Sequence, residues 1–262
     1  MKLKGKTAVI TGGASGFGKA SAIKFVQEGV KNLLLVDLNE PGAEETKQIA
    51  SKLSNDCTIK TIRADVSNEA DVKAFIDEAI SSFGALDILF NNAGIEGFSN
   101  PIDEMPFESF CKTMSINMNS VFLGMKYALA YMKNNGGGSI INTSSIGGLI
   151  ALPESIDYVA AKHAINGMTK NAAAEYGKYN IRTNAVCPGV VMTELHRRVI
   201  TAQAGGDEEV VKQLIENNTQ GTPLKRYGEV EEIANLVAFL ASDESSYING
   251  VSIAIDGGYT VL

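Results

Sequence analysis

Seven short runs of β-branched and aliphatic residues alternate with amphipathic stretches along the chain, and few folds accept that pattern. The runs are Thr7-Ala8-Val9-Ile10, Leu33-Leu34-Leu35-Val36, Thr58-Ile59-Lys60-Thr61-Ile62, Asp87-Ile88-Leu89-Phe90, Ser139-Ile140-Ile141-Asn142, Thr183-Asn184-Ala185-Val186 and Val251-Ser252-Ile253-Ala254-Ile255. Several are apolar on both faces, as strands covered above and below by helices must be. Helices are expected near 17–28, 40–53, 69–83, 105–133, 157–178 and 229–241; the third places Val72, Phe75, Ile76, Ala79 and Ile80 on one face. Such alternation predicts an α/β fold, a doubly wound parallel sheet of about seven strands with helices on both faces and right-handed crossovers. No Pro/Gly/Ser linker divides the 262 residues, so 1–262 is expected to form a single domain. The stretch around 190–226, polar and glycine-bearing, breaks the regularity and is expected to lie over the strand ends as a lid.

Composition narrows the partners. Hydrophobic residues make up 45% and charged residues 20% of the chain, which is enough for a large core. With a net charge of -7 and no Lys/Arg run, no nucleic-acid or anionic-membrane partner is expected. The most apolar helical stretch, 121–132, is interrupted by Lys126 and is too short to span a bilayer. Cys57, Cys111 and Cys187 are scattered, odd in number and without CxxC spacing, which reads as reduced thiols in a cytoplasmic protein. The N-terminal Met1 to Lys6 runs straight into a strand without the apolar core of a signal peptide. The two histidines, His163 and His196, lie far apart with no paired cysteines, so no metal is expected.

The turn after the first strand is Thr11-Gly12-Gly13-Ala14-Ser15-Gly16-Phe17-Gly18, with glycines in G-x-x-x-G-x-G spacing. Glycines there let backbone N–H groups and a helix N-terminus approach a pyrophosphate; a plain tight turn is the alternative. Asp37, followed by Leu38, ends the second strand about twenty residues on, where a carboxylate binds ribose hydroxyls and repels a 2′-phosphate. No Arg or Lys stands at 13–17 or 37–42, which favours NAD(H) over NADP(H). Asp65-Val66 ends the third strand, where a carboxylate can accept an adenine amino group. Asn91-Asn92-Ala93-Gly94 ends the fourth.

Tyr158 and Lys162 are one helical turn apart, and Ser145 stands thirteen residues before the tyrosine. A free phenol ionises near pH ~10, and a neighbouring ammonium lowers that value, so the pair is expected to make a base from Tyr158. Ser145 is expected to hold a substrate oxygen against the phenol; Ser144 competes for that role, and the spacing favours Ser145.

Together these residues resemble the short-chain dehydrogenase/reductase superfamily over essentially the whole chain. The resemblance rests on TGGASGFG at 11–18, Asp65, NNAG at 91–94, Asn117, Ser145, Tyr158-x-x-x-Lys162, and Pro188-Gly189 with Thr193. It implies a Rossmann-type domain, Tyr158 as general acid/base, Lys162 as the group that lowers its pKa and holds the nicotinamide ribose, Ser145 as the substrate-oxygen ligand, and Asn117 as the anchor of a water-linked proton relay. By the same resemblance NAD lies along Gly12, Ser15, Gly16, Phe17, Gly18, Asp37, Leu38, Asp65, Val66, Asn92, Ala93, Gly94, Tyr158, Lys162, Pro188, Gly189, Val191 and Thr193. Phe90 to Gly97, Ala160-Ala161-Lys162-His163 and Lys225 to Glu229 are most similar to the levodione reductase-like group of NAD-dependent alcohol and cyclic-ketone dehydrogenases.

The substrate wall is less constrained. Glu96 either lines the pocket or is a solvated loop carboxylate. Leu152 and Met192 are expected beside Ser145 and Tyr158, and Leu195 and Val199 either close an apolar pocket or only pack. Mixed walls suit a small or cyclic secondary alcohol or diol and its ketone; 3-oxoacyl-thioester reduction, hydroxysteroid oxidation and a catalytically silent cofactor-binding regulator are the alternatives. Small residues on 157–178 (Ala160, Ala161, Ala164, Gly167, Ala172, Ala173, Ala174) allow close helix pairing between subunits or packing on the chain's own sheet, and the resemblance implies a homotetramer.

Overall fold

The seven strands form one parallel sheet: β1 (Thr7–Thr11), β2 (Asn32–Asp37), β3 (Thr58–Arg63), β4 (Ile88–Asn91), β5 (Gly138–Thr143), β6 (Ile181–Pro188) and β7 (Ser252–Ile255), ordered β3-β2-β1-β4-β5-β6-β7. This computed structural model describes residues 1–261, apart from the side chains of Leu195 and Val199. Alternate residues of each inner strand feed opposite faces. Ala8, Ile10, Leu33, Leu35, Ile88, Phe90 and Ile141 join one core with α1 (Gly16–Gln27) and α9 (Val230–Ala241). Their neighbours Val9, Leu34, Val36, Leu89 and Ile140 join a second core with α3 (Glu69–Phe83), α5 (Ser120–Met132) and α6 (Ile156–Tyr176). Two covered faces explain why these strands are apolar throughout. β1 and β4 are neighbours although they are not consecutive, so the crossovers change direction between them and a crevice opens at their carboxyl ends.

Two expectations need correction. The single helix expected over 105–133 is α4 (Phe107–Thr113) after Pro106, a π-helical turn (Met114–Asn119), then α5. A π-turn inserts one extra residue without breaking the rod, which apolar periodicity does not reveal. The irregular stretch around 190–226 contains α7 (Glu194–Gln203) and α8 (Glu208–Thr219). Each begins at a side-chain cap: Thr193 Oγ1 accepts the His196 N–H (3.1 Å), and Asp207 Oδ1 accepts the Glu209 N–H (2.9 Å). Gly205 and Gly206, both at positive φ, join them. α2 (Glu40–Ser51) completes the layers. None of the described helices is long and apolar enough to cross a membrane.

Candidate active site

The crevice is held open by Thr11 and Asn92. Thr11 Oγ1 accepts the backbone N–H groups of Asn92 (2.9 Å) and Ala93 (3.1 Å), and Asn92 Nδ2 donates to the Thr11 carbonyl (3.0 Å). Thr143 Oγ1 donates to Asn92 Oδ1 (3.2 Å), so the ends of β1, β4 and β5 are fixed together. Glycine is required on both sides of this knot. Gly12 has φ +69°, and a Cβ there would lie 2.8 Å from Asn92 Nδ2; a Cβ on Gly18 would lie 2.0 Å from the Gly12 carbonyl oxygen.

The N-terminus of α1 faces this crevice without a side-chain cap and without an acidic residue in its first turn. Ser15, at its N-cap, is exposed and extended, and Gly16 takes φ +51°. Uncapped N–H groups at a helix start are suited to an anion. Phe17 packs half-buried on the core. Asp37 is fixed by two backbone donors, Ala14 N–H on Oδ2 (3.0 Å) and Asn39 N–H on Oδ1 (2.8 Å). Leu38 beside it is exposed. Asp65 Oδ1 accepts the Ser67 hydroxyl (2.7 Å) and N–H (2.9 Å), which hold its carboxyl below the usual range. The Val66 side chain turns into the core. On the opposite rim, Pro188 is buried, the Gly189 N–H donates to the Ile255 carbonyl (3.1 Å), and Val191 bridges to Gly228. A Cβ on Gly16 would reach only the Thr193 methyl, 3.9 Å away, so the first turn of α1 faces the start of α7.

Ser145, Tyr158 and Lys162 converge beside this cradle. Ser145 caps a 3₁₀ turn, its Oγ accepting the Gly147 N–H (3.1 Å), and its hydroxyl lies close enough to the Tyr158 phenol to lower its ionisation. Ser144 turns its hydroxyl to the Lys162 carbonyl on α6 (3.1 Å). Lys162 is buried, donates to the Thr143 carbonyl (2.8 Å), and stands 5.4 Å from the centre of the Tyr158 ring. Burial lowers its ammonium to about 8. In the free chain the Tyr158 phenol is pushed up, chiefly by burial and further by Glu96, while Ser145 pulls it down. The ammonium is engaged by a backbone carbonyl rather than by the phenol oxygen, so it does not offset the desolvation.

Asn117 is fully buried in the π-turn, and its amide is closed on Ile95: Nδ2 donates to the Ile95 carbonyl and Oδ1 accepts the Ile95 N–H, both at 2.8 Å. A Cβ on Gly94 would lie 2.9 Å from Asn117 Oδ1 and 3.9 Å from Lys162 Nζ, which puts the NNAG turn, the π-turn and the lysine in one cluster. Leu152 is packed near Gly147 and Tyr158: a Cβ on Gly147 would touch both. Glu96 is exposed yet close enough to act on the Tyr158 charge. Met192 is half-buried, its N–H donating to the Gly228 carbonyl (2.9 Å). The Leu195 and Val199 side chains lie outside the described residues. Sequence reasoning missed Asp157, a fully buried carboxylate next to the tyrosine. A cavity of about 520 Å³ between residues 223–228, α9 and 254–258 contains none of Asn117, Ser145, Tyr158 or Lys162.

A family model described as enoyl-(acyl carrier protein) reductase matches residues 12–260. Levodione reductase from Leifsonia aquatica is 42% identical over 253 residues, covering 97% of this chain and 93% of that protein. Cyclohexanol dehydrogenase from Acinetobacter sp. (strain SE19) is 38% identical, covering 99% and 96%. Among solved structures, levodione reductase superposes with a TM-score of 0.92 at 40% identity over 99% of both chains, and NAD+-bound xylitol dehydrogenase with 0.90 at 31% identity over 98% and 100%. The chain therefore belongs to the short-chain dehydrogenase/reductase family and is an oxidoreductase acting on CH–OH groups.

Proposed function

We propose that this protein is an NAD(H)-dependent dehydrogenase that interconverts a secondary alcohol, cyclic or diol-like, and its ketone, with Tyr158 as general acid/base. The observation that carries this reading is the meeting of Ser145, Tyr158 and Lys162 at the end of a crevice whose other end holds Asp37. The residues fit a dinucleotide: the uncapped start of α1 takes the pyrophosphate, Asp37 the adenosine ribose, and Asp65 the adenine amino group. Gly94 and Lys162 would hold the nicotinamide ribose, with Val191 and Thr193 at its carboxamide. When bound, the nicotinamide supplies the hydride acceptor or donor.

In oxidation, Ser145 Oγ holds the alcohol oxygen against the Tyr158 hydroxyl oxygen. Tyr158, as phenolate, takes the O–H proton while the carbinol C–H leaves as hydride, and the O–H electrons become the second C–O bond. In reduction the phenol returns the proton. Lys162 and Tyr158 would together hold the ribose of a bound nicotinamide cofactor, and the charge of Lys162 would favour the phenolate. Asn117 positions the loop through Ile95, so any relay passes through its backbone carbonyl and not its occupied amide. Residues 190–226 act as a lid carrying Met192, the enzyme works in the cytoplasm with free thiols, and it assembles as a homotetramer.

A second reading is 3-oxoacyl-thioester reduction with NADPH. It is favoured by Arg63, which pairs in register with Asp37 at the end of β3 and offers a cation that the local sequence window lacked. Nicotinamide absorbance with a panel of cyclic alcohols, diols, ketones and acyl thioesters, each with both cofactors, separates the two. Oxidation of cyclic alcohols with NAD favoured over NADP is expected. Preference for NADPH with thioesters would transfer the assignment.

A further inference from the structure

Asp157 is 0% exposed, yet it is a carboxylate with three donors from three separate segments. Oδ1 accepts the Tyr158 N–H (2.7 Å) in the first turn of α6. Oδ2 accepts the Phe98 N–H (3.0 Å) and the Thr113 hydroxyl (2.6 Å), 59 and 44 residues away in the chain. Thr113 is the last residue of α4, immediately before the π-turn that holds Asn117. Gly97 packs against the same group: its φ is +84°, and a Cβ there would lie 2.9 Å from both carboxylate oxygens. A buried carboxylate is retained only where donors compensate its lost hydration, and here one of the three, the Phe98 N–H, comes from the loop that carries Glu96.

We propose that Asp157 is a positioning residue whose carboxylate fixes residues 95–98, and with them Glu96, against the helix that carries Tyr158, setting the wall that selects the alcohol. This rests on the dehydrogenase reading above for what the wall binds, but not for the clamp itself. Asp157 touches no reacting atom. Its neighbour in sequence is the proton donor, so one residue pair couples the position of the substrate wall to the position of the phenol. Ile95, held by two hydrogen bonds to the Asn117 amide, anchors the start of the same loop, and Asp157 anchors its end. Between these two anchors Glu96 is the exposed carboxylate that acts on the Tyr158 charge.

Asp157→Asn tests the clamp with little change of shape. The retained oxygen keeps the Tyr158 N–H, and the new amide meets the Phe98 N–H donor to donor, while the Thr113 hydroxyl rotates to accept. Loss of one charge-assisted bond is expected to raise KM for the alcohol about tenfold, with kcat within about twofold and KM for NAD unchanged. Hydrogen–deuterium exchange of the free protein is expected to accelerate over residues 95–100 and to stay unchanged in α1. Gly97→Ala, which displaces the loop and leaves the carboxylate intact, is expected to reproduce both effects and carries the test if Asp157→Asn does not fold. Unchanged exchange over 95–100 in the folded variants overturns the proposal, as does a loss shared equally by kcat and both KM values. Wild-type protein without alcohol turnover would sink the functional reading alone, because the exchange measurement needs no substrate.

Discussion

Tyr158 is half-buried, and its phenol is pushed above its ordinary value by desolvation and Glu96 against the pull of Ser145. That shift favours the protonated phenol in the free protein. Phenolate absorbance, taken as the difference between wild type and Tyr158→Phe, is expected to show no Tyr158 ionisation up to about pH 10. Glu96→Gln is expected to move that ionisation down, and Ser145→Ala to move it up. Lys162 has the opposite linkage. Its folded value near 8 lies below the unfolded value, so between about pH 8 and about pH 10 the unfolded chain binds more protons and stability rises with pH, by at most about 1.4 kcal/mol per pH unit. Denaturant unfolding of Lys162→Met across that window is expected to lack this slope. A variant with the wild-type slope would place the titrating group elsewhere.

The β1–α1 turn depends on glycine for contact rather than for flexibility alone. Gly18→Ala would drive a Cβ into the Gly12 carbonyl and against Asn92 Nδ2, breaking the knot that fixes three strand ends. A stability loss of about 1–3 kcal/mol and NAD affinity weakened more than tenfold are expected, measured by denaturant unfolding and calorimetry. That turn was readable in the sequence because its chemistry is local, and so were the strands, whose alternate residues feed two cores. Ser145, Tyr158 and Lys162 were also readable, since a serine before an i, i+4 pair lies within one short segment. α7 and α8 were missed because a polar composition hid their caps at Thr193 and Asp207. Asp157 was missed for a different reason: two of its three partners are distant in the chain, and nothing next to it announces a clamp. The direction of the Tyr158 shift depends on where the Lys162 ammonium points, which spacing does not determine.

The small-residue face of α6 divides between the two roles considered for it. Ala161, Ala172 and Ala173 are buried on the chain's own sheet, whereas Gly167 and Ala174 are exposed and Ala160 and Ala164 half-buried. Ile102, Phe107 and Phe122, before and along the α4–α5 rod, are also exposed apolar side chains. Burying such surfaces is what subunit association achieves, so light scattering is expected to give the mass of four chains and Phe122→Lys to reduce it; a wild-type monomer at micromolar concentration would remove the tetramer. The start of α1, Tyr158 and the start of α7 lie near one another at the carboxyl ends of the strands, and the proposal that unites them is that Tyr158 moves the proton during hydride transfer. Its most direct test is turnover of a cyclic secondary alcohol with NAD by wild type and Tyr158→Phe, alongside NAD affinity by calorimetry. A fall in kcat of about 10²–10⁴-fold with NAD affinity retained is expected; a near wild-type rate in Tyr158→Phe would contradict it.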